Sequence, residues 1–234
     1  MMKVAIMQPY FCPYIGYFQL ISSVDRFVIY DNVQYTKKGW FNRNRYLHNG
    51  RAELFTIPLM KESDFLNVRD RHLADDSLKA RRRILSKLAQ AYRSAPYVDE
   101  VMGLLERLFL YQGANLFEFI YHSVVVLCRE LGIDTDIVIS STIKVPDELK
   151  GSDRVIAINK ALGADTYINA IGGQGLYERE VFAAQGIGLH FLRSKPIDYP
   201  QLSDPFVPWL SIIDVMMFND KAIISDFLER YDLL

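Results

Sequence analysis

Nothing in the chain constrains its fold more than its first twenty residues. Val4 to Met7 is an apolar, β-branched run at strand length, and Gln8-Pro9-Tyr-Phe-Cys-Pro13 follows as a turn punctuated by two prolines. Gly16 then stands near the start of a short amphipathic helix. Strand, turn and helix start in that order bring backbone N–H groups and a helix dipole to the carboxyl edge of a first strand. In α/β proteins that edge is where phosphates bind. The turn and the stretch behind it, residues 8 to 44, also carry more polar and aromatic groups than packing requires, so they are read as the active site.

Further strands are expected at Arg26–Tyr30, Leu54–Leu59, Ile137–Ser140, Thr166–Asn169 and Leu189–Leu192. Helices are expected at Ser77–Ala91, after Pro96, at Leu116–Leu131, from Ser152 or Asp153 to Leu162, at Glu178–Gln185, at Ser211–Asn219 and at Lys221–Tyr231. Gly132, Gly163 and Gly186 each follow a helical pattern as C-terminal stops. Tyr199 to Pro208 reads as an irregular loop. Strand–helix alternation at both ends with helices between predicts a Rossmann-like α/β fold: one domain over 1–234, a parallel sheet with a helical insertion at 60–132.

Composition narrows the partners. With 27 basic and 28 acidic side chains the net charge is −1, so no global field favours nucleic acid or an anionic membrane. The basic run Lys79 to Arg83 lacks interleaved aromatics and reads as a solvated helix face. Cys12 and Cys128 are far apart and suit reduced thiols in a cytoplasm; no apolar run is long enough to insert in a membrane. Four scattered histidines give no metal-site spacing.

Candidate chemistry concentrates in three places. In the first, Asp31 closes the second strand and offers a carboxylate to an amine, to hydrated Mg²⁺ or as a base. Lys37 and Arg43 offer charge to a phosphate, and these three are the catalytic candidates. Gln34, Tyr35, Trp40, Asn42 and Asn44 offer amides and ring faces to a substrate. The second is Ser140-Ser141-Thr142 with Lys144, a hydroxyl loop and a cation suited to phosphates. The third comprises Gly172, Gly173 and Tyr177 after a strand, with Ser211 and Asp214 opening a helix. Cys12 offers a thiol but no basic partner for it is identifiable in sequence.

Two resemblances follow from these residues. Pro13-Tyr14-Ile15-Gly16-Tyr17 looks like the His-Ile-Gly-His phosphate signature of nucleotidylyltransferases and class I aminoacyl-tRNA synthetases, with both histidines replaced by tyrosine. Ser140-Ser-Thr142 with Lys144 is similar to the second phosphate loop of adenylyltransferases. Nearly end to end, the chain also resembles the WbqC-like proteins of bacterial O-antigen and capsule gene clusters. The carrying residues are Gln8-Pro9 to Tyr17, Asp25-Arg-Phe-Val, Asp31 to Tyr35, Lys37, Trp40 to Asn44, Ala95-Pro-Tyr97, Ser140-Ser-Thr142, Tyr199-Pro-Gln201 and Leu210 to Asp214. Where the resemblance leads one to expect Ser-Gly after Tyr167, this chain has Asn169-Ala170-Ile171-Gly172-Gly173.

The resemblance implies modification of a sugar: an ATP- and Mg²⁺-dependent transfer of an amino acid, glycine for instance, to the amine of an amino-deoxy sugar nucleotide. Gln8, Pro13, Tyr14, Gly16, Tyr17, Ser140, Ser141, Thr142 and Lys144 would then bind the nucleotide. A nucleotidylyltransferase and a non-catalytic sugar-binding component of a polysaccharide assembly complex stand as alternatives.

Overall fold

A computed structural model describes all 234 residues. Its centre is a six-stranded sheet. β1 (Lys3–Met7) pairs in parallel with β2 (Arg26–Ile29) on one side, and β2 with β5 (Asp136–Ile139). On its other side β1 pairs in parallel with β6 (Thr166–Ala170), and β6 with β7 (Gly188–Ser194). The final strand, β8 (Tyr231–Leu233), adds antiparallel to β7. The order is therefore β5-β2-β1-β6-β7-β8, and the direction of winding reverses between β1 and β6. Helix α1 (Ile15–Ser22) joins β1 to β2, α5 (Gly151–Ala161) joins β5 to β6, and α6 (Arg179–Ala183) joins β6 to β7.

Alternation along the strands assigns the two faces. Val4, Ile6, Val28, Tyr167, Leu189 and Phe191 pack with Val155, Ile156, Ile158 and Phe182 of α5 and α6 in a smaller core. Ala5, Phe27, Ile29, Ile168 and Leu192 face the opposite way, into the main core. That core takes its helical part from α1, α2 (Ser77–Ala91), α3 (Val98–Phe109), α4 (Leu116–Glu130), α7 (Ile212–Phe218) and α8 (Lys221–Leu228). Both faces of the central strands are thus covered, as a parallel sheet requires.

Between β2 and β5 the chain departs from a simple crossover. β3 (Arg43–His48) and β4 (Arg51–Thr56) form a separate antiparallel hairpin ahead of α2, α3 and α4. Its turn is Asn49-Gly50, with φ of 49° and 72°, the signature of a tight two-residue hairpin. The expected strand at Leu54–Leu59 is corrected accordingly: β4 ends at Thr56, because Pro58 cannot donate to a ladder. At the C-terminus, the helix expected to Tyr231 stops at Leu228, and the remaining residues pair with β7. α5 starts at Gly151 behind Lys150 with no side-chain cap, so neither Ser152 nor Asp153 caps it. In the basic run Lys79, Arg82 and Arg83 are exposed as expected, and Arg81 alone departs from the solvated reading. It is buried and donates to the carbonyls of Phe109 (2.9 Å) and Tyr111 (2.7 Å), satisfying acceptors at the end of α3.

Candidate binding site at the topological switch point

A cavity of about 600 Å³ lies at the carboxyl edge of the sheet, where β1 and β6 diverge. Doubly wound sheets bind ligands in that crevice, because the loops after the two strands leave in opposite directions. From β1 and its turn come Ile6, Met7, Gln8, Tyr10 and Pro13; α1 adds Tyr14, Gly16 and Tyr17 at its N-terminal end. The β6 side supplies Asn169, Ala170, Gly172, Gly173, Leu176 and Tyr177. Trp40, Asn44, Arg45 and Trp209 close it from the hairpin and from the loop before α7.

The turn after β1 is held by its neighbours. Cys12 has φ 45°, a left-handed conformation that a non-glycine residue adopts only when its surroundings enforce it. Its carbonyl accepts from Asn44 Nδ2 (2.7 Å) and Ser211 Oγ (2.6 Å), and Asn44 Nδ2 also reaches the carbonyl of Phe11 (3.0 Å). The amide of Ile212 donates to the Pro13 carbonyl at 2.8 Å. Tyr17 turns its hydroxyl back to the carbonyl of Gln8 (2.9 Å), and Tyr10 donates to Gln8 Oε1 (3.3 Å). Gly16 lies beneath the Tyr14 ring: a Cβ there would overlap Tyr14 Cε2 and stand 2.6 Å from Ser194 Oγ.

Electrostatically the cavity is simple. Arg45 is the one ionised side chain in its lining, which contains no carboxylate, lysine or histidine. Burial raises the phenol pKa of Tyr10, Tyr14, Tyr17, Tyr30 and Tyr177 above the ordinary value. At neutral pH these hydroxyls act as neutral hydrogen-bond groups. The first turn of α1 has neither a side-chain cap nor an acidic residue, so its free N–H groups add positive potential on the same wall.

Several sequence-predicted residues meet here: Gln8, Pro13, Tyr14, Gly16, Tyr17, Trp40, Asn44, Gly172, Gly173 and Tyr177 all line the cavity. Others have different surroundings. Asp31 is buried and accepts from Ser140 Oγ (2.7 Å) and the Ser141 amide (2.9 Å), tying the ends of β2 and β5 together. Thr142 Oγ1 donates to the carbonyl of Ile139, and Lys144 is exposed. Lys37 pairs with Asp64 at the surface (3.1 Å), and Gln34 Nε2 donates to the Asp64 carbonyl. Arg43 holds its own loop, with Nε donating to the Gly39 carbonyl at 3.0 Å, and lies over the Trp40 ring at 5.6 Å without lining the cavity. Tyr35 donates to Asn42 Oδ1 (3.1 Å) and Asn42 Nδ2 to the Ile57 carbonyl (2.7 Å), within the protein. Ser211 caps α7 and clamps Cys12, while Asp214 lies fully buried between Tyr92, Tyr199 and Gln201. Asp25, at the start of β2, receives the Lys3 amide at 2.7 Å.

The sequence reading assigned no role to Arg45, Trp209 or the side chain of Asn169. Asn49-Gly50 was the available signal for Arg45. A two-residue hairpin turn there makes residues 43 to 48 a strand, and period two then puts Arg43 and Arg45 on one face and Asn44 on the other.

Two expectations arise directly. Cys12 and Cys128 are both buried, and burial pushes the Cys128 thiol up to about 12 and that of Cys12 higher still. Neither thiol should react with an aromatic disulfide reagent at pH 8 in the native protein, and both should react after denaturation; one fast native thiol would contradict this packing. Gly173 and Gly172 should also differ. A Cβ at Gly173 overlaps the Asn169 amide inside the cavity, whereas one at Gly172 meets open space. Gly173→Ala should weaken ligand binding about tenfold while changing Tm by only a few degrees, and Gly172→Ala should do neither. Binding titration and thermal melts on the pair decide it.

Fold and site together define a doubly wound α/β protein with an aromatic, amide-lined cavity at its switch point. The chain belongs to the WbqC-like protein family, whose model matches residues 8–225. It is also similar to the uncharacterized protein Rv1507c of Mycobacterium tuberculosis, with 32% identity over 235 residues, covering 99% of each chain. No solved structure matches it significantly. No helix is long and apolar enough to cross a membrane.

Proposed function

We propose that this protein is a sugar-modifying enzyme of bacterial surface-polysaccharide biosynthesis. In this reading it joins an amino acid such as glycine to the amine of an amino-deoxy sugar nucleotide. Family membership fits a polysaccharide-related role. The carrying observation is the cavity lining: aromatic faces at Tyr10, Tyr14, Trp40, Tyr177 and Trp209 beside the amides of Gln8 and Asn169, with a single cation. Rings that offer C–H and base-stacking faces, with amides that both donate and accept, suit a polyhydroxylated ligand bearing a base and one anionic group.

Amide formation requires an activated acid. An amino-acid carboxylate oxygen attacks the α phosphorus of ATP, pyrophosphate leaves, the sugar amine attacks the acyl carbon, and AMP departs as the amine loses a proton. Arg45 and the first turn of α1 would hold phosphate, and the rings a base. Mg²⁺ would be carried on the nucleotide's own oxygens and water, since no carboxylate lines the cavity.

That same lack of a carboxylate, histidine or lysine favours a second reading, a sugar-binding component with no chemistry of its own. ATP–pyrophosphate exchange across the twenty amino acids, with an amino sugar nucleotide added in a parallel series, separates the two. Exchange, or an amide product by mass spectrometry, with one amino acid is expected. Binding of the sugar nucleotide without exchange or product in either series would sink the transferase reading.

A further inference from the structure

We infer that Arg45 is the phosphate anchor of the cavity and that the ligand it serves is a nucleoside diphosphate, with the base stacking on Trp209. This rests on the small-molecule reading above and specifies its substrate class. Arg45 is half-buried, has no carboxylate partner and is the one cation in the cavity lining; Arg154, held by a single bond to the Pro146 carbonyl at 3.3 Å, is buried away from that lining. Arg71 lies 3.6 Å from Glu62 and donates to the carbonyls of Ser63 and Met60; Arg81 takes two carbonyls; Arg43 takes those of Gly39 and Lys38. Arg45 makes one side-chain hydrogen bond, from Nη2 to the carbonyl of Trp209 at 3.1 Å, and its Nε, like those of Arg71 and Arg81, is buried with no hydrogen-bond partner. A half-buried guanidinium with no carboxylate beside it, in an otherwise uncharged and largely apolar cavity, keeps donors free for an anion. An anion arriving there gains charge-assisted bonds that the protein does not already satisfy.

The surroundings fix what kind of anion. The Arg45 guanidinium lies over the Trp40 ring at 5.2 Å, which holds the fork against an aromatic face. On its other side Trp209 is 57% exposed, unusual for the largest side chain, and its φ of 60° is in the left-handed region. The backbone is locked there in both directions, since the Ser211 amide donates to the Arg45 carbonyl at 2.9 Å and Arg45 itself donates to the Trp209 carbonyl. A strained, exposed tryptophan pinned to a lone cation at a cavity mouth serves packing poorly and stacking well. The Tyr14 ring, at the N-terminal end of α1, sits 6.0 Å from that of Trp209, so the helix terminus and Arg45 flank the same opening. One guanidinium and one helix terminus suit a phosphate bridge whose two ends are neutral: a base outside and a sugar within.

Trp40 and Trp209 are the only tryptophans and both line the cavity, so intrinsic fluorescence reports occupancy. The experiment titrates UDP, dTDP, CDP, GDP and ADP against their nucleosides and against inorganic pyrophosphate, in wild type, Arg45→Gln, Arg45→Lys, Arg43→Gln and Trp209→Ala. At least one diphosphate should bind wild type 10-fold or more tightly than its own nucleoside. Arg45→Gln should reduce that ratio to about threefold or less, Arg45→Lys should keep part of it, and Arg43→Gln should leave it intact. Trp209→Ala should weaken diphosphate and nucleoside alike by about 10-fold or more. Because the readout is a ratio within one protein, a partly destabilised Arg45 variant still reports it, and Arg45→Lys covers the case where glutamine fails to fold. An unchanged ratio in Arg45→Gln, loss of the ratio in Arg43→Gln, or no diphosphate increment in wild type would each overturn the assignment. Pyrophosphate binding as tightly as the best diphosphate would overturn the stacking half of it. Failure of amino-acid-dependent exchange with the increment intact would count against the transferase and leave Arg45 where it is.

Discussion

Asp214→Ala is expected to lower stability by about 3 to 5 kcal/mol, the largest single effect foreseen for a residue outside the cavity. Asp214 is fully buried and holds three donors: Tyr92 (2.8 Å) on Oδ1, with Tyr199 (2.6 Å) and Gln201 (2.7 Å) on Oδ2. Tyr92 in turn accepts the amide of Leu47 in β3 at 2.8 Å, so the carboxylate links α2, α7, the hairpin and the 199–208 loop. Alanine leaves hydroxyl and amide groups buried without an acceptor, each costing about 1–3 kcal/mol before relaxation. For a chain of this length that corresponds to a fall in Tm of about 6–20 °C. A melt unchanged within two degrees would mean that the network is open to water.

The same residue sets a pH dependence. Burial, opposed by the bonds from Tyr199, Tyr92 and Gln201, raises the Asp214 pKa above its ordinary 3.8. The native state then binds the proton more tightly than the unfolded chain. Its contribution is fully present below 3.8 and is lost as pH rises through the raised native value. Asp214→Asn cannot titrate, so its stability relative to wild type should rise with pH across that window and be flat above it. Denaturant melts on the two proteins at closely spaced pH values would reveal the opposite slope if the carboxyl were instead held down.

Gly16→Ala is expected to abolish most ligand binding at a smaller cost in stability. The added methyl overlaps the Tyr14 ring and approaches Ser194 Oγ at 2.6 Å, so the ring must move and the hydroxyl must turn aside. Ser194 is the last residue of β7 and is fixed by the sheet, whereas the Tyr14 ring borders the cavity and has room to swing into it. A ring displaced there takes ligand volume, so affinity should fall by more than 10-fold, with a stability loss of about 1–3 kcal/mol from overpacking. Retained affinity in a folded variant would mean that the ring moves outward instead, and a crystal structure of the variant would show which.

These effects separate what sequence carried from what it could not. β1, its proline-punctuated turn and α1 were legible because each is local: strand-length β-branched residues, prolines that forbid helix, and a glycine where backbone and ring approach. The same holds for α2, found over Ser77–Ala91, and for the glycine stops, with φ near 70° at Gly132, Gly163 and Gly186. The sequence alone therefore determined the α/β alternation and placed the cavity's β1 wall.

Pairing across the chain decided the rest. Asp31 and Ser140 are 109 residues apart and meet because β2 and β5 are neighbours; in sequence each resembled a free chemical group. Lys37 and Arg43 offered phosphate ligands in sequence, and only the fold set the first beside Asp64 and the second against the Gly39 carbonyl. Arg45 and Trp209 looked like nothing in particular, being 164 residues apart, until the hairpin brought the guanidinium to the Trp209 carbonyl. Local propensity depends on neighbouring residues and so survives in the sequence. Whether a polar group is satisfied or left waiting for a ligand depends on distant partners, which only the folded chain supplies.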